Sequence, residues 1–387
     1  MRNQNHKNRD RQENHGREEG LKVPLADLRA QYLALKEQID AAMMQVSESG
    51  CFIDGENVVR LEEQIADVCG ARYGIGVASG TDALVLSLVA CGIGPGDEVI
   101  TTPFTFGATT EAIALVGARA VYVDIDLCTF NLDVNQIESR ITPQTKAILS
   151  VDLFGQMADR AVLMEVAKRH GLRVIADAAQ SIGSRQHGQC VAEAADTTTL
   201  SFYPTKNLGA FGDGGMVLTN DPDLADHLRS LHAHGQRGYG YHERIGYCSR
   251  LDTLQAVILM AKLPHLNGWN EARRRNAALY TALLADADLM LPGCEPGNYH
   301  IYHQYTIRHP RRDELQVFLK ERGVDSKVFY PLVMHLQPAY LYLGYQQGDF
   351  PAAERATREV LSIPIVPELC DEQIAYVADL ITRFSQS

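Results

Sequence analysis

Thr199-Leu-Ser-Phe-Tyr-Pro-Thr-Lys-Asn-Leu-Gly-Ala-Phe-Gly-Asp-Gly-Gly215 reads as the end of a β-rich run, a lysine, and then four glycines within nine residues. Glycine lets backbone come close to a bulky group, because no Cβ intervenes. Outward from this stretch, strand-like runs alternate with helical patterns from about Val77 to Asn220. Strands are expected over 74–78, 98–102, 119–124, 146–151, 173–177, 200–203 and 216–219. Helices are expected over 82–91, 108–116, 134–141 and 161–170. This alternation predicts an α/β fold built on a large, mostly parallel sheet wrapped by helices.

Further along, a long helical stretch runs from Arg250 to about Ala285, with Pro264 placed to kink or break it. A smaller C-terminal α/β unit follows. Its strands are expected over 302–308 and 326–329, and its helices over 313–322, 352–361 and 371–384. The N-terminus is polar, charged and without an apolar core, so it reads as a disordered tail and not as a signal peptide. The expected organisation is therefore a tail over 1–22, a large domain over 23–260, and a small domain with its connecting helix over 261–387.

Composition narrows the classes. Apolar residues make up 45 % of the 387, enough for a sizeable core. The net charge of −12 disfavours nonspecific nucleic-acid binding. No apolar run is long enough to span a bilayer. Eight scattered cysteines, with no CxxC pair, argue against a zinc cluster or a disulfide framework and fit the cytosol. No metal site is expected, and His300 and His303, without an accompanying ligand set, read as loop histidines. Cys91-Gly-Ile-Gly-Pro-Gly-Asp-Glu98 follows a helix and precedes a strand, so it is a connecting turn and not a dinucleotide loop.

In open α/β sheets, ligands collect at the carboxyl ends of strands. Three pieces fall there. Ser79-Gly80-Thr81 can cap the helix that follows and present backbone N–H groups, as an anion site does; an ordinary capped helix has the same sequence. Asp177 ends an apolar strand, where its carboxylate can pair with a protonated pyridine nitrogen or simply cap the next turn; Gln180 lies just beyond. Ser201 precedes Lys206 by five residues, and a lysine fixed among glycines can form a Schiff base with an aldehyde cofactor. Taken alone, Lys206 reads as a surface lysine in a Gly-rich turn. The order phosphate turn, aspartate, serine, lysine matches fold-type I pyridoxal phosphate enzymes, and the combination is more specific than any single piece.

The chain resembles the DegT/StrS family of pyridoxal-phosphate-dependent nucleotide-sugar aminotransferases. The residues carrying the resemblance are SGTDAL at 79–84, PFTFGAT at 103–109, DLFGQMAD at 152–159, DAAQS at 177–181 and SFYPTKNLGAFGDGG at 201–215. HGQ at 234–236, GYCSRLDTLQA at 246–256 and FYPLVMHLQPAY at 329–340 extend it, so that it covers essentially all of the chain beyond Val23. It implies Lys206 as Schiff-base lysine and proton carrier, with Asp177 as partner of the pyridinium. Phe106 and Gln180 would flank the pyridoxal 5'-phosphate ring, and Gly80, Thr81 and Ser201 would hold its phosphate. It also implies a homodimer with shared sites, and His234, Arg237, Arg250, Tyr330 and His335 on the substrate side. One departure stands out. Cys248 replaces the Asn that members usually send to the neighbouring subunit's phosphate, and a thiol is a weak donor.

The implied activity is transfer of an amino group, with glutamate as the expected donor, to a nucleotide-linked ketosugar. Within the family the chain is most like enzymes acting at C3 of UDP-linked 3-keto-N-acetylhexosamines or their uronic acids, in O-antigen or lipid A sugar synthesis. The alternatives are dTDP-3-keto-6-deoxyhexoses or aminocyclitols as substrates, a sugar dehydratase, and a noncatalytic regulatory or sugar-binding paralogue. Lys206 argues against the dehydratases, which carry histidine there. Lys206 and Asp177 together argue against the paralogue.

Overall fold

The computed structural model describes residues 21–386. The tail expected over 1–22 therefore lies, up to residue 20, outside the described residues.

Seven strands form the central sheet: β1 (Tyr73–Val77), β2 (Glu98–Thr101), β3 (Arg119–Tyr122), β4 (Thr145–Val151), β5 (Arg173–Asp177), and then, after the two-residue β6 (Arg185–Gln186) and β7 (Gln189–Cys190), β8 (Thr197–Ser201) and β9 (Gly215–Thr219). Their order is β1-β9-β8-β5-β4-β2-β3. Every pairing from β8 to β3 is parallel, and β9 alone runs antiparallel to both neighbours. The expected mostly parallel sheet is thus present. β4, β5 and β9 are buried along most of their length, which is why they read as largely apolar runs.

Helices cover the sheet. In the N-terminal part these are α1 (Leu28–Ser49), α2 (Glu56–Cys69), α3 (Gly80–Ala90), α4 (Gly107–Leu115), α5 (Arg160–His170) and α6 (Pro222–Leu231). On one face Leu84, Leu88, Val99, Tyr122, Leu149 and Ile175 pack together. On the other, Ile100, Ile148 and Val174 meet Leu163, Val166 and Ala167 of α5. The stretch around Pro264 behaves as expected. α7 (Thr253–Lys262) ends, one 3-10 turn intervenes, and α8 (Leu266–Leu283) begins.

The C-terminal unit pairs β11 (Tyr305–Arg308) with β12 (Val360–Ile363), after β10 (Asn298–Tyr299), and surrounds them with α9 (Arg312–Lys320), α10 (Pro351–Glu359) and α11 (Asp371–Ser385). Its core holds Tyr280, Ile307, Leu361 and Ile381, together with Val23 from the start of the described chain. Phe350 and Ala353 instead pack into the sheet core. Asp124, just beyond β3, accepts the Ala352 and Ala353 N–H groups at 2.9 and 2.8 Å. A carboxylate at the start of α10 favourably meets the positive end of that helix.

Three expectations fail. The 134–141 segment makes two 3-10 turns, Val134–Gln136 and Glu138–Arg140, instead of a helix. It is short, and Pro143 disfavours helical backbone just before it. The 326–329 segment is no strand and contributes a single bridge, Lys327 to Ser362. The helix expected over 352–361 stops at Glu359, because Val360 to Ile363 pair with β11. β-Branched and apolar residues there satisfied a helical pattern locally but gain more from the sheet.

Candidate active site

The carboxyl ends of β5 and β8 lie side by side, and both carry a candidate residue. Asp177 is the last residue of β5 and Ser201 the last of β8. Asp177 is buried and its two oxygens are fixed from two sides: Ala179 N–H donates to one at 3.2 Å and Thr109 Oγ1 to the other at 3.0 Å. Thr109 is itself bonded to Thr105 at 2.9 Å. Burial pushes the Asp177 carboxyl above its ordinary range, against the pull of these donors and of the Lys206 charge. No cation lies at ion-pair distance from Asp177 among the described residues. A buried carboxylate so placed is costly until a positive partner arrives.

Lys206 sits in the β8–β9 connection, with its N–H on Tyr203 O at 2.8 Å. The turn is tight. A Cβ on Gly209 would fall 2.3 Å from Pro204 O. Lys262 of α7 reaches under the turn and donates to Gly209 O at 2.6 Å. Asn207 is tied in turn to His303 and Asn270. The backbone on both sides of Lys206 is therefore fixed, while its amine bonds to none of the described residues. Burial pushes that amine down to about 8, with Asp177 pulling the other way.

Beside this pair, Ser79 caps α3, its Oγ accepting Asp82 N–H at 3.0 Å. The N–H groups of Gly80 and Thr81 occupy the first turn, where a helix leaves donors open. Gly80 faces Ser201 so closely that a Cβ on it would lie 2.7 Å from Ser201 Cβ and 3.1 Å from Oγ. These donors, Asp177 and Lys206 close enough to influence each other's charge, and the absence of side-chain bulk at Gly80 fit pyridoxal phosphate. The phosphate would take the helix start and Ser201, the ring nitrogen Asp177, and the aldehyde Lys206.

Aromatic groups close one side. Phe106 stands at the start of α4 with 61 % of its surface exposed, its ring centroid 6.2 Å from that of Tyr330. Gln180 Nε2 donates to Tyr330 Oη at 3.1 Å, and Gln180 Oε1 accepts Phe154 N–H at 2.8 Å. Burial raises the Tyr330 phenol well above its usual range, so it stays protonated.

Cys248 and Arg250 line a cavity of ≈ 470 Å³ with Ile53, Ala78, Gly212 and Asp213. Arg250 Nη2 approaches Cys248 Sγ at 3.3 Å. Between them Ser249 Oγ accepts Ala78 N–H at 3.2 Å and donates to Asp82 at 2.7 Å, which holds the segment against the start of α3.

Three of the expected substrate residues have the following surroundings. Arg237 is ion-paired with Asp226 and with Glu243, the latter at 2.6 Å. His234 is exposed, with its backbone carbonyl accepting from His242. His335 is fully buried beside Glu354, at 3.2 Å, with the Phe350 ring 4.8 Å away. Thr109, Asn207, Lys262 and His303 escaped the sequence reading as site residues. Thr109 lay inside the quoted 103–109 motif, but nothing in the sequence aims its hydroxyl at Asp177. The only group of metal-ligand type that comes together among the described residues, Asp126 with Cys128 and Glu295, is exposed and includes no site residue. Also among the described residues, no helix is long and apolar enough to cross a membrane.

Comparison with known proteins bears on the family and the fold. The family model described as the DegT/DnrJ/EryC1/StrS aminotransferase family matches residues 33–382. A "Pleiotropic regulatory protein" of Geobacillus stearothermophilus is 52 % identical, over 94 % of this chain and 99 % of its own length. A UDP-N-acetyl-3-dehydro-alpha-D-glucosamine 3-aminotransferase of Acidithiobacillus ferrooxidans is 45 % identical, over 93 % and 97 %. The crystal structure of S. venezuelae DesV superposes with a TM-score of 0.93 at 42 % identity, over 95 % of this chain and 99 % of that one.

Proposed function

The chain belongs to the DegT/DnrJ/EryC1/StrS aminotransferase family, whose members use pyridoxal phosphate, and from that premise we propose that it aminates C3 of a UDP-linked 3-keto-N-acetylhexosamine, or its uronic acid, at the expense of glutamate. The observation that carries the site is the nearness of a Lys206 amine without a hydrogen-bond partner, in the β8–β9 connection, to a buried Asp177 carboxylate at the end of β5. The choice of sugar rests on likeness to the 45 %-identical relative.

The residues divide the work. Asp177, oriented by Thr109 and the Ala179 N–H, holds a positive charge on the cofactor's ring nitrogen. Gly80, Thr81 and Ser201 would bind the phosphate, and Phe106 would cover the ring. When bound, pyridoxal phosphate supplies an electrophilic carbon for the incoming amine and an electron-withdrawing ring that stabilises negative charge on the carbon next to nitrogen. Lys206 Nζ, with its pKa near 8 in the free state, takes the proton from the donor's α-carbon and, in the second half-reaction, delivers one to C3 of the sugar. Tyr330 and Arg250 bound the space left for substrate, and Arg250 offers the pyrophosphate a guanidinium.

The working unit in this reading is a homodimer with sites shared across its interface. The segment from His234 to Tyr247 supports it: Ile245 keeps 94 % of its surface exposed, and Tyr239, Tyr241 and Tyr247 are also exposed. Exposed apolar side chains in such a row mark an interaction surface. We place the enzyme in the cytosol, in line with its eight unpaired thiols, and in the supply of sugars for lipopolysaccharide or O-antigen.

A regulatory protein without turnover is the second reading, favoured by the name of the 52 %-identical relative. Spectra and products separate the two. The purified protein should absorb in the visible, lose that band on addition of glutamate, and then convert a UDP-linked 3-ketosugar to its 3-amino product faster than dTDP-linked or cyclitol ketones. A visible band untouched by glutamate would support the regulatory reading. Preferential turnover of another ketone would replace the substrate and leave the chemistry standing.

A further inference from the structure

A buried histidine outside the expected machinery is wired to the lysine loop. His303 lies just before β11 with 6 % of its surface exposed. The hydrogen bonds around it have one consistent direction. Asn270 Nδ2 donates to the Ile182 carbonyl at 3.1 Å, and a carbonyl can only accept. The Asn270 oxygen therefore faces Asn207, whose Nδ2 donates to it at 2.8 Å. The Asn207 oxygen is then left to accept from His303 Nδ1 at 2.9 Å. The imidazole carries its proton on Nδ1. Burial, and then the charges of Lys206 and Arg273, hold it well below its ordinary pKa, so it is neutral.

The surroundings leave this ring little freedom. Arg273 Nη1 donates to the carbonyls of Tyr302 and His303, both at 3.3 Å. A Cβ on Gly155, where φ is +105°, would lie 2.8 Å from His303 N, so only glycine admits this approach. Asn270 and Arg273 are three residues apart on α8 and thus share a face. One grips the lysine loop and the other the histidine's backbone.

We propose that His303 is a positioning residue for the amination reaction: through Asn207 it fixes the backbone from which Lys206 projects. The relay is a set of neutral hydrogen bonds closed off from water, which in such surroundings hold geometry firmly. Asp177 and His303 are the groups facing the Lys206 amine, and the histidine is neutral. The proposal rests on Lys206 being the cofactor lysine; borohydride labelling of another lysine in the wild type would fail that reading and leave this one without a subject.

The test uses the full-length protein. His303→Gln leaves the Nδ1 position empty, while His303→Asn puts an amide N–H there. The Gln variant should lower kcat about tenfold to a hundredfold, the scale of a misplaced reacting group, with little change in KM for either substrate. It should slow to the same extent the regain of visible absorbance when pyridoxal phosphate is added to protein stripped of cofactor, a readout independent of turnover. His303→Asn should recover most of both. Because the histidine acts through Asn207, adding Asn207→Ala to His303→Gln should cost no more than Asn207→Ala alone. Equal rates for the Gln and Asn variants, additive effects in the double variant, or a loss expressed in KM would each overturn the proposal. If His303→Gln does not fold, comparing His303→Asn with Asn207→Ala decides: a kcat and capture rate as low in the first as in the second overturns it.

Discussion

Gly80, which opens α3, touches Ser201, which closes β8: a Cβ on Gly80 would fall 2.7 Å from Ser201 Cβ. The contact brings the open N–H groups of a helix start beside a serine hydroxyl. Gly80→Ala should force the two apart. One hydrogen bond to a charged group is worth about 1.5 kcal/mol or more, so the dissociation constant for pyridoxal phosphate should rise roughly tenfold. Equilibrium dialysis measures it. Ser201→Ala should do the same, and the pair together should cost less than the sum. An unchanged constant in both variants would move the phosphate elsewhere.

The Lys206 amine should titrate far below an ordinary lysine. Burial lowers its pKa to about 8, with Asp177 opposing. In cofactor-free protein, the rate of its capture of pyridoxal phosphate should rise with pH to a midpoint near 8. Asp177→Asn removes the opposing charge, so the midpoint should fall further. A stability consequence has a definite sign. The group binds fewer protons folded than unfolded between pH 8 and 10.5, so its contribution to stability improves as pH rises through that window and is unfavourable below it. Cofactor-free Lys206→Met should therefore melt higher than the wild type at pH 7, and this advantage should shrink towards pH 10.5. A constant difference would contradict the depressed pKa.

Asp177→Asn should retain pyridoxal phosphate and lose turnover roughly a hundredfold, about 2.7 kcal/mol. The amide has nearly the same shape but cannot favour a charged ring nitrogen. Thr109→Val leaves the carboxylate in place and removes one of its two donors, so a milder loss of about tenfold is expected, close to one charge-assisted hydrogen bond. Single-turnover rates with glutamate check both. Near-normal rates in Asp177→Asn at full cofactor occupancy would strip Asp177 of its role.

How much of this was legible in the sequence depends on range. Alternation of apolar runs with helical patterns placed β1 to β5, β8 and β9 within a few residues, and the strand-end rule put Asp177 and Ser201 at a ligand site. Those signals are local. What stayed hidden depends on contacts between distant segments. His303 reads as a loop histidine because its partner, Asn207, lies 96 positions earlier in the chain. Lys262 drew no attention in the sequence, because its acceptor, the Gly209 carbonyl, lies 53 positions earlier in the chain. His335 follows an apolar run beside Tyr330, and only the packing of Phe350 and Glu354 shows that it is enclosed. The first two residues of β12, Val360 and Leu361, were read as the end of a helix because the pairing partner, β11, is remote in sequence.

The last prediction concerns Arg250 and Cys248. Arg237 is already engaged by Asp226 and Glu243, which leaves Arg250 as the better cation for a substrate. On the proposed shared-site arrangement, Arg250 would serve the neighbouring subunit's site. Mixing Lys206→Ala subunits with Arg250→Ala subunits should then restore activity. In each hybrid one site combines an intact Lys206 with the other subunit's intact Arg250, whereas both parent homodimers lack one or the other. Activity should approach that of one site per hybrid dimer, measured after isolating hybrids with two affinity tags. No recovery in verified hybrids would assign Arg250 to its own subunit's site, where Ser249 anchors the segment on Ala78 and Asp82. Cys248→Asn is the companion change. The thiol sits 3.3 Å from Arg250 Nη2 and is a poor donor. An amide in its place should tighten pyridoxal phosphate several-fold if residue 248 faces the phosphate, and an unchanged dissociation constant would show that it does not.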